Sequence, residues 1–213
     1  MNKRRFFKTV NHYNKYFEQE AEDMLEFCGN PNETMPIDVI IYKPTKKYPF
    51  WKLATVGASD YKMPKHKPAI ARRNEYVMFL DKYINISPDS KDYDWYYKFL
   101  ILTAYSSRDL GEFISYGHTI ELTNDQENWP ISLLLMPEAI RDSRILKFKL
   151  GLFDKCAILQ VVPITQEEYD IGFEAIENSI YGENCKPDAF LARKIVKWVI
   201  KLMTLLTLKI IQK

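Results

Sequence analysis

Three residues carry the chemistry of a cysteine nucleophile: Cys156 as the thiol, His118 as its base, and Asp60 as the acid that orients the base. Cys156 opens an apolar stretch that runs to Val162, and a thiol in that setting is usually buried and unreactive. A reactive thiolate needs an exposed, electropositive surrounding instead. The sequence therefore favours core packing for Cys156 and leaves a cysteine-dependent enzyme as a remote alternative.

Carboxylates and histidines give no stronger signal for catalysis or metal binding. Four glutamates are available for an acid–base pair: Glu112, Glu121, Glu127 and Glu138. Their spacing forces no two of them onto one surface, so a carboxylate-dependent enzyme is also a remote alternative. The three histidines, at positions 12, 66 and 118, fall in a predicted helix, a loop and a turn, which does not favour a metal site. Nucleophile-elbow, phosphate-loop, dinucleotide and zincin motifs are absent, so we expect no enzyme, catalytic residue, cofactor or metal.

Apolar residues recur at two different periods along the chain, which predicts interspersed strands and helices. The predicted strands cover residues 37–42, 50–56, 76–80, 119–122, 131–136 and 156–162. Helical spacing covers residues 6–28 and 93–106, and Thr165 with Glu168 forms a capping box at the start of a third helix. The strand over 156–162 is apolar throughout, which predicts a buried central position. We expect an α/β (α+β) domain with a mixed β-sheet flanked by helices.

Two turns present side chains that suit contact with a partner. Residues 57–72 are rich in turn-forming and charged types, which predicts an exposed loop outside the sheet. Gly57 can take a positive φ there, and Tyr61 either anchors a partner contact or covers the edge of the core. His118 follows the turn glycine Gly117, and either bonds a backbone carbonyl or faces a partner. The residues predicted to contact a partner are Asp60, Tyr61, His118 and Glu121.

Charge is divided unevenly along the chain. Residues 9–185 carry a net charge of −8, while the first eight residues carry +4 and residues 186–213 carry +6. An acidic body disfavours nucleic acid and suits a basic protein partner. The start of the chain lacks a secretory pattern, and the three cysteines are widely spaced with no C-x-x-C pair. These features together predict that the protein is located in the reducing cytoplasm.

The last part of the chain differs in character from the rest. We expect a domain over residues 1–185 and a basic amphipathic segment over 186–213. Lys197 and Lys201 interrupt its apolar stretch, so an integral membrane span is not expected. The segment packs on the body, associates with itself or a partner, or adsorbs to a membrane surface, and the sequence does not choose between these.

Several stretches, in the right order, resemble the suppressor-of-fused domain family. They are residues 37–44, residues 51–60 with their Gly-Ala-Ser-Asp ending, residues 73–80, residues 95–106 headed by Trp95, the Gly117-His118 turn, and residues 158–168. The resemblance covers residues 36 to about 182. Near the C-terminus, Leu191-Ala192-Arg193-Lys194 is similar to the family's closing Arg-containing strand, but the run to Lys213 departs from the pattern.

The resemblance implies a single α/β domain that binds proteins and has no catalytic role. Bacterial members of about this length resemble immunity proteins or antitoxins, which neutralise a toxin by binding it directly. We therefore expect a protein partner, a toxin domain encoded nearby. The alternative function is a regulatory scaffold that sequesters a peptide or a transcription regulator by adding it to a sheet edge.

Overall fold

A computed structural model of the chain describes residues 2–25, 36–66, 71–86, 93–122, 129–140 and 142–172. The chain divides into two units, Met1–Pro163 and Ile164–Lys213, and of the second only residues 164–172 are described. The predicted boundary at residue 185 and the segment 186–213 lie outside the described residues. Among the helices of the described residues, none has the length and apolar character needed to cross a membrane.

The first unit is built on a mixed β-sheet, as the sequence predicts. Its strands are β1 (Asp23–Leu25), β2 (Asp38–Tyr42), β3 (Phe50–Val56), β4 (Asn74–Asp81), β5 (Thr119–Ile120), β6 (Ile131–Leu135), β7 (Lys147–Lys149) and β8 (Lys155–Ile164). The strand order in the described residues is β1-β2-β3-β4-β8-β6-β5, and β7 pairs with β8. Strands β1 to β4 are antiparallel neighbours, whereas β4 and β8 run parallel.

One helix lies on each face of this sheet. Helix α1 (Lys3–Phe17) buries Tyr13 and Phe17 in a cluster that includes Val77 of β4. Helix α2 (Tyr93–Asp109) packs on the other face, in a cluster with the alternating β4 residues Tyr76 and Met78. Because successive strand residues point to opposite faces, each face buries its own apolar set and the unit has three layers.

Helix α1 is shorter than the predicted 6–28. Its start is capped by Asn2, whose side chain accepts hydrogen bonds from the backbone N–H groups of Arg4 and Arg5. It ends at Phe17, because Glu18 takes the left-handed conformation with φ 56° and its N–H bonds the carbonyl of Asn14. Residues 23–25, predicted to be helical, form β1 and pair with β2. The three-to-four spacing of apolar residues therefore continues beyond the end of the helix, where the backbone enters the sheet.

The other predicted strands and the helix predicted over 93–106 are present, most of them with shifted bounds. Strand β8 is buried and lies between β4 and β6, which confirms its central position. Strand β7 is absent from the predictions, because three residues alternating Lys-Phe-Lys carry too short a pattern. The described parts of the predicted loop, residues 57–66 and 71–72, lie outside the sheet as expected, but they are not wholly exposed, since Ser59, Met63 and Ala71 are buried.

The start of a helix in the second unit has the predicted capping box. The Glu168 N–H donates to Thr165 Oγ1 at 3.1 Å, and the Thr165 N–H donates to Glu168 Oε2 at 2.9 Å. These reciprocal bonds satisfy two amide groups that a helix start leaves free.

The strand directions define two ends of the sheet. Strand β3 finishes where β4 and β8 begin, so the 57–61 turn, the start of α1 and the β7–β8 hairpin lie together at what we call the Glu75 end. The β2–β3 turn and the residues that follow β4 lie at the opposite end, which we call the Lys52 end. Each is named for the ionisable side chain buried there.

Candidate functional site

The Glu75 end is organised around a buried carboxylate. Glu75 has no exposed surface and accepts hydrogen bonds from Thr55 Oγ1 at 2.7 Å and from the N–H groups of Gly57 at 3.1 Å and Ser59 at 3.0 Å. The turn that supplies these N–H groups depends on Gly57, whose φ of 110° is unfavourable for residues with a side chain. A single carboxylate thus holds the end of β3 and the turn in one conformation.

Burial and hydrogen bonding act on Glu75 in opposite directions. Loss of water raises its pKa to about 7, although the donors from Ser59, Thr55 and Gly57 favour the charged form. Cys156 is a close neighbour, and burial followed by the charge of Glu75 raises the pKa of the thiol well above its usual value. This corner of the molecule therefore disfavours negative charge on any group that lacks donors.

A second layer of charges surrounds the turn. Arg73 is buried and its Nη1 donates to the carbonyls of Ser59 at 2.8 Å and Asp60 at 2.9 Å. Its Nη2 lies 3.6 Å from Asp154, which also pairs with Lys62 at 3.1 Å. The hydrogen bond from Lys62, followed by the charge of Arg73, holds the pKa of Asp154 below its usual value. Asp154 therefore stays ionised and ties the β7–β8 hairpin to the turn.

Asp60 and Tyr61 are adjacent in sequence, but their side chains contact different parts of the structure. The Asp60 carboxylate accepts from the N–H of Asn2 at 2.9 Å and pairs with Arg5 at 3.1 Å, so it fastens the start of α1. Tyr61 is half-buried and packs against the cluster beneath α2, where Ala104, Ser107 and Arg108 share a small cavity with it. Of the two alternatives for Tyr61, the packing corresponds to covering the edge of the core.

His118 and Glu121 lie apart from the turn, at the terminal strand of the described sheet. Gly117 adopts φ 85° and donates its N–H to the carbonyl of Leu134, which places His118 exposed at the start of β5. The His118 backbone carbonyl accepts from Leu134, while no hydrogen bond of its ring is seen in the described part of the chain. Glu121 is exposed just beyond β5. The four predicted contact residues therefore do not form one patch.

In the described residues, Cys156, His118 and Asp60 do not come together as a catalytic group. Cys156 is wholly buried, and its Sγ donates to the carbonyl of Ala157 at 3.4 Å. A raised thiol pKa keeps it protonated, whereas His118 is exposed and Asp60 is paired with Arg5. Core packing is the role that this environment supports.

The other two histidines have structural surroundings. His12 Nε2 lies 2.9 Å from the carbonyl of Ile145, its ring stacks on Phe148, and burial lowers its pKa. His66 stacks on Phe113 with ring centres 4.7 Å apart. Within the ranges that the structure describes, no three His, Cys, Asp or Glu side chains gather as metal ligands.

Comparison with known proteins identifies the family. The family model described as suppressor of fused protein matches residues 33–174 of this chain. The chain belongs to the suppressor of fused family. Its fold is similar to that of a suppressor-of-fused homologue from Neisseria gonorrhoeae FA 1090, with a TM-score of 0.55 and 14% identity over 87% of this chain and 93% of the homologue. It is also similar to a chain of the Sufu–Fu complex, with a TM-score of 0.52 and 10% identity over 80% of this chain and 79% of that one.

None of the curated proteins compared with the chain matches it significantly. The family match and the two fold likenesses agree with the mixed sheet seen here, and confirm the resemblance found in the sequence. The family match covers most of the Glu75 end, since it includes the 57–61 turn, Glu75 and the β7–β8 hairpin but not the start of α1.

Sequence reasoning missed the residues that organise this site. Glu75 directly precedes the apolar run 76–80, and an acid at the start of a buried strand is a signal for a buried, partnered carboxylate. Leu152 and Phe153, between Gly151 and Asp154, form a second signal, because large apolar residues are unusual at a tight turn. Their exposure needs the structure: Leu152 is 85% exposed and Phe153 is 93% exposed at the tip of the β7–β8 hairpin.

Proposed function

We propose that this chain neutralises a cognate bacterial toxin, encoded beside it, by forming a direct complex in the cytoplasm. Membership of the suppressor of fused family is the observation that carries the proposal. One fold relative is seen in a complex with Fu, so the same fold serves protein binding there. For this chain the physical counterpart is a domain whose ends present charged and apolar side chains on a rigid sheet.

The Neisseria homologue has a similar fold over nearly all of its length, since this chain covers 93% of it. Neutralisation by binding requires a stable binding surface and does not require a catalytic group. An interface of about 1,600 Å² centred on a few anchors is enough for such a complex.

The predicted contact residues enter the proposal in two groups. His118 and Glu121 are exposed and available for direct contact at the β5 side. Asp60 and Tyr61 are half-buried, so their role in binding is to hold the start of α1 and the edge of the α2 cluster in place. Replacing Asp60 or Tyr61 by Ala should therefore weaken binding of the toxin.

Co-expression with the product of the adjacent gene tests the proposal. We expect cells that express both proteins to grow, cells that express the neighbour alone to stop growing, and the two proteins to co-purify in equal amounts. Cys156→Ala is the control for the enzyme alternative, because a buried thiol used only for packing leaves protection intact. Growth arrest despite full expression of this chain would overturn the proposal.

A regulatory scaffold is the second candidate, and the open side of β5 favours it. Strand β5 ends the described sheet, and a peptide strand can pair with such an edge. The strand is only two residues long, however, so it offers few backbone hydrogen bonds. Replacing Thr119 by Pro removes an N–H from this edge, and unchanged partner binding by that variant would exclude edge addition at β5.

A further inference from the structure

The tip of the β7–β8 hairpin exposes two adjacent large apolar side chains. Leu152 is 85% exposed and Phe153 is 93% exposed, so neither contributes to the core of this chain. A single exposed apolar residue is ordinary on a protein surface. Two side by side at a projecting turn match the anchors that dominate protein interfaces, where aromatic residues are enriched.

The tip is held firmly by its base. The N–H groups of Leu150 and Gly151 donate to the carbonyl of Asp154 at 2.9 and 3.3 Å, and Lys8 Nζ donates to the carbonyl of Leu150 at 2.8 Å. The Asp154 carboxylate is paired with Lys62 and lies 3.9 Å from Arg5. Because the backbone is already fixed, binding through the tip loses little conformational entropy.

The surroundings of the tip are strongly basic. The hairpin and the side chains that contact it contain seven basic residues: Arg5, Lys8, Lys62, Arg73, Lys147, Lys149 and Lys155. Two acids contact these cations: Asp154 lies within 4 Å of Arg5, Lys62 and Arg73, and Asp60 pairs with Arg5. Lys149 lies directly opposite Lys155 in the register, and like charges in that position destabilise a strand pair. Carboxylates from a partner would relieve that repulsion.

The positive charge around the hairpin is opposite in sign to the net negative charge of residues 9–185. Residues 9–185 carry −8, which favours a basic partner, but the exposed lysines of the hairpin repel one. We infer that the β7–β8 hairpin tip is a docking surface for an acidic protein segment that carries apolar side chains. The apolar groups cover Leu152 and Phe153, while the carboxylates meet Lys149 and Lys155. This inference rests on the proposal that the domain acts by binding a protein.

Synthetic peptides test the inference without knowledge of the natural partner. The probes are three fluorescein-labelled peptides: one alternating Glu with Leu and Phe, one with Lys in place of every Glu, and one with Ser in place of every apolar residue. Fluorescence anisotropy measures their binding to the full chain. We expect the acidic apolar peptide to bind best and its binding to weaken as salt is raised.

Variants at the tip and matched variants elsewhere locate the binding. Leu152→Ser with Phe153→Ser should weaken the acidic apolar peptide at least tenfold, and Lys149→Glu with Lys155→Glu should weaken it to a similar extent. The matched control for the apolar pair is Tyr83→Ser, because Tyr83 is 81% exposed at the Lys52 end. The matched control for charge is Lys46→Glu with Lys82→Glu, two exposed lysines at that same end. Equal binding by the tip variant, or preference for the Lys peptide, would overturn the inference.

Two further measurements separate this inference from the proposed function. If the Leu152→Ser, Phe153→Ser chain binds the acidic apolar peptide as well as the unaltered chain does, and still protects cells from the neighbouring gene product, the tip inference is wrong and neutralisation stands. If the unaltered chain gives no protection while peptide binding depends on the tip, neutralisation is wrong and the tip inference stands. Tip-dependent binding to vesicles of phosphatidylserine and phosphatidylcholine, with no tip-dependent peptide binding, would replace the protein segment with a membrane surface.

Discussion

Each end of the sheet is organised around a wholly buried ionisable side chain, an acid that accepts hydrogen bonds at one end and a base that donates them at the other. At one end Glu75 accepts from the N–H groups of Gly57 and Ser59. At the other end Lys52 is wholly buried, and its ammonium donates to the carbonyls of Lys43 at 2.7 Å and Phe50 at 3.1 Å. In both places a buried ionisable group satisfies backbone groups that the turn leaves without a partner in the sheet.

The surfaces above these buried groups differ. At the Lys52 end two of the exposed lysines have acidic partners, with Lys47 paired to Glu18 and Lys43 paired to Glu22. At the Glu75 end the exposed hairpin lysines have no acidic partner among the residues that the structure describes, and they lie beside two exposed apolar side chains. The buried group therefore serves the fold at both ends, while the adjacent exposed apolar pair beside the hairpin lysines distinguishes the end suited to recognition. Four predictions test or refine this comparison.

Removing the Glu75 carboxylate should have the largest effect. Glu75→Ala leaves the Thr55 hydroxyl and two turn N–H groups buried without acceptors, so the free energy of unfolding should fall by about 4 kcal/mol. Urea denaturation at pH 7 measures it. Glu112→Ala, at an exposed position, is the matched control and should change stability by less than about 0.5 kcal/mol. A loss as small as that of the control would mean that the turn does not depend on Glu75.

The pH dependence of stability should also report on Glu75. Its pKa is raised from 4.5 to about 7, so between these values the folded protein keeps a proton that the unfolded chain has released. Its contribution to the free energy of unfolding should fall as pH rises through this window, by up to about 3 kcal/mol. We expect the difference between the unaltered chain and Glu75→Gln to decrease from pH 5 to pH 7. A flat difference would show that Glu75 is ionised throughout.

Lys52 should give the opposite slope at higher pH. Burial lowers its pKa from 10.5 to about 8, so above pH 8 the folded protein has released a proton that the unfolded chain keeps. The contribution of Lys52 to stability should then rise with pH. Measured only from pH 8 to 9.5, before tyrosines of the unfolded chain titrate, the change should be smaller than that for Glu75. Lys52→Met is the reference variant, and a falling difference would contradict the cause assigned to the shift.

The exposed pairs of the Lys52 end should matter least. Glu18→Ala and Lys47→Ala remove an ion pair on the surface, where solvent and salt screen it, so each should change the free energy of unfolding by less than about 0.5 kcal/mol. A double-mutant cycle with both replacements isolates the pair. A coupling above about 1 kcal/mol would mean that surface charge stabilises this end as strongly as buried charge does.

The sequence predicts the elements of this fold best where a regular pattern of apolar residues is long. The stretch 156–162 predicts β8 and its central position, and the spacing over 93–106 predicts most of α2. The end of α1 does not follow, because Ala21 and Met24 continue a helical spacing that the backbone leaves at Glu18. Periodicity reports which residues can share a face, and several backbone paths satisfy it.

The site is less accessible to sequence reasoning than the fold. Gly57 and Gly117 were identified as turn glycines, and both take a positive φ. Sequence spacing does not show that Asp60 turns toward Arg5 while Tyr61 turns toward the α2 cluster. The net charge of the chain likewise hides the basic hairpin, since residues distant in sequence, such as Lys62, reach it only after folding.

The parallel pairing of β4 with β8 has a consequence for the order in which the chain folds. Strands β1 to β4 follow one another and pair as neighbours, but β4 meets its other partner only when Ala157 reaches Asn74. During synthesis the edge of β4 that pairs with β8 therefore stays unpaired until most of the chain has left the ribosome. A nascent or truncated product that ends before β8 would offer that open strand to other chains, which makes it prone to aggregation.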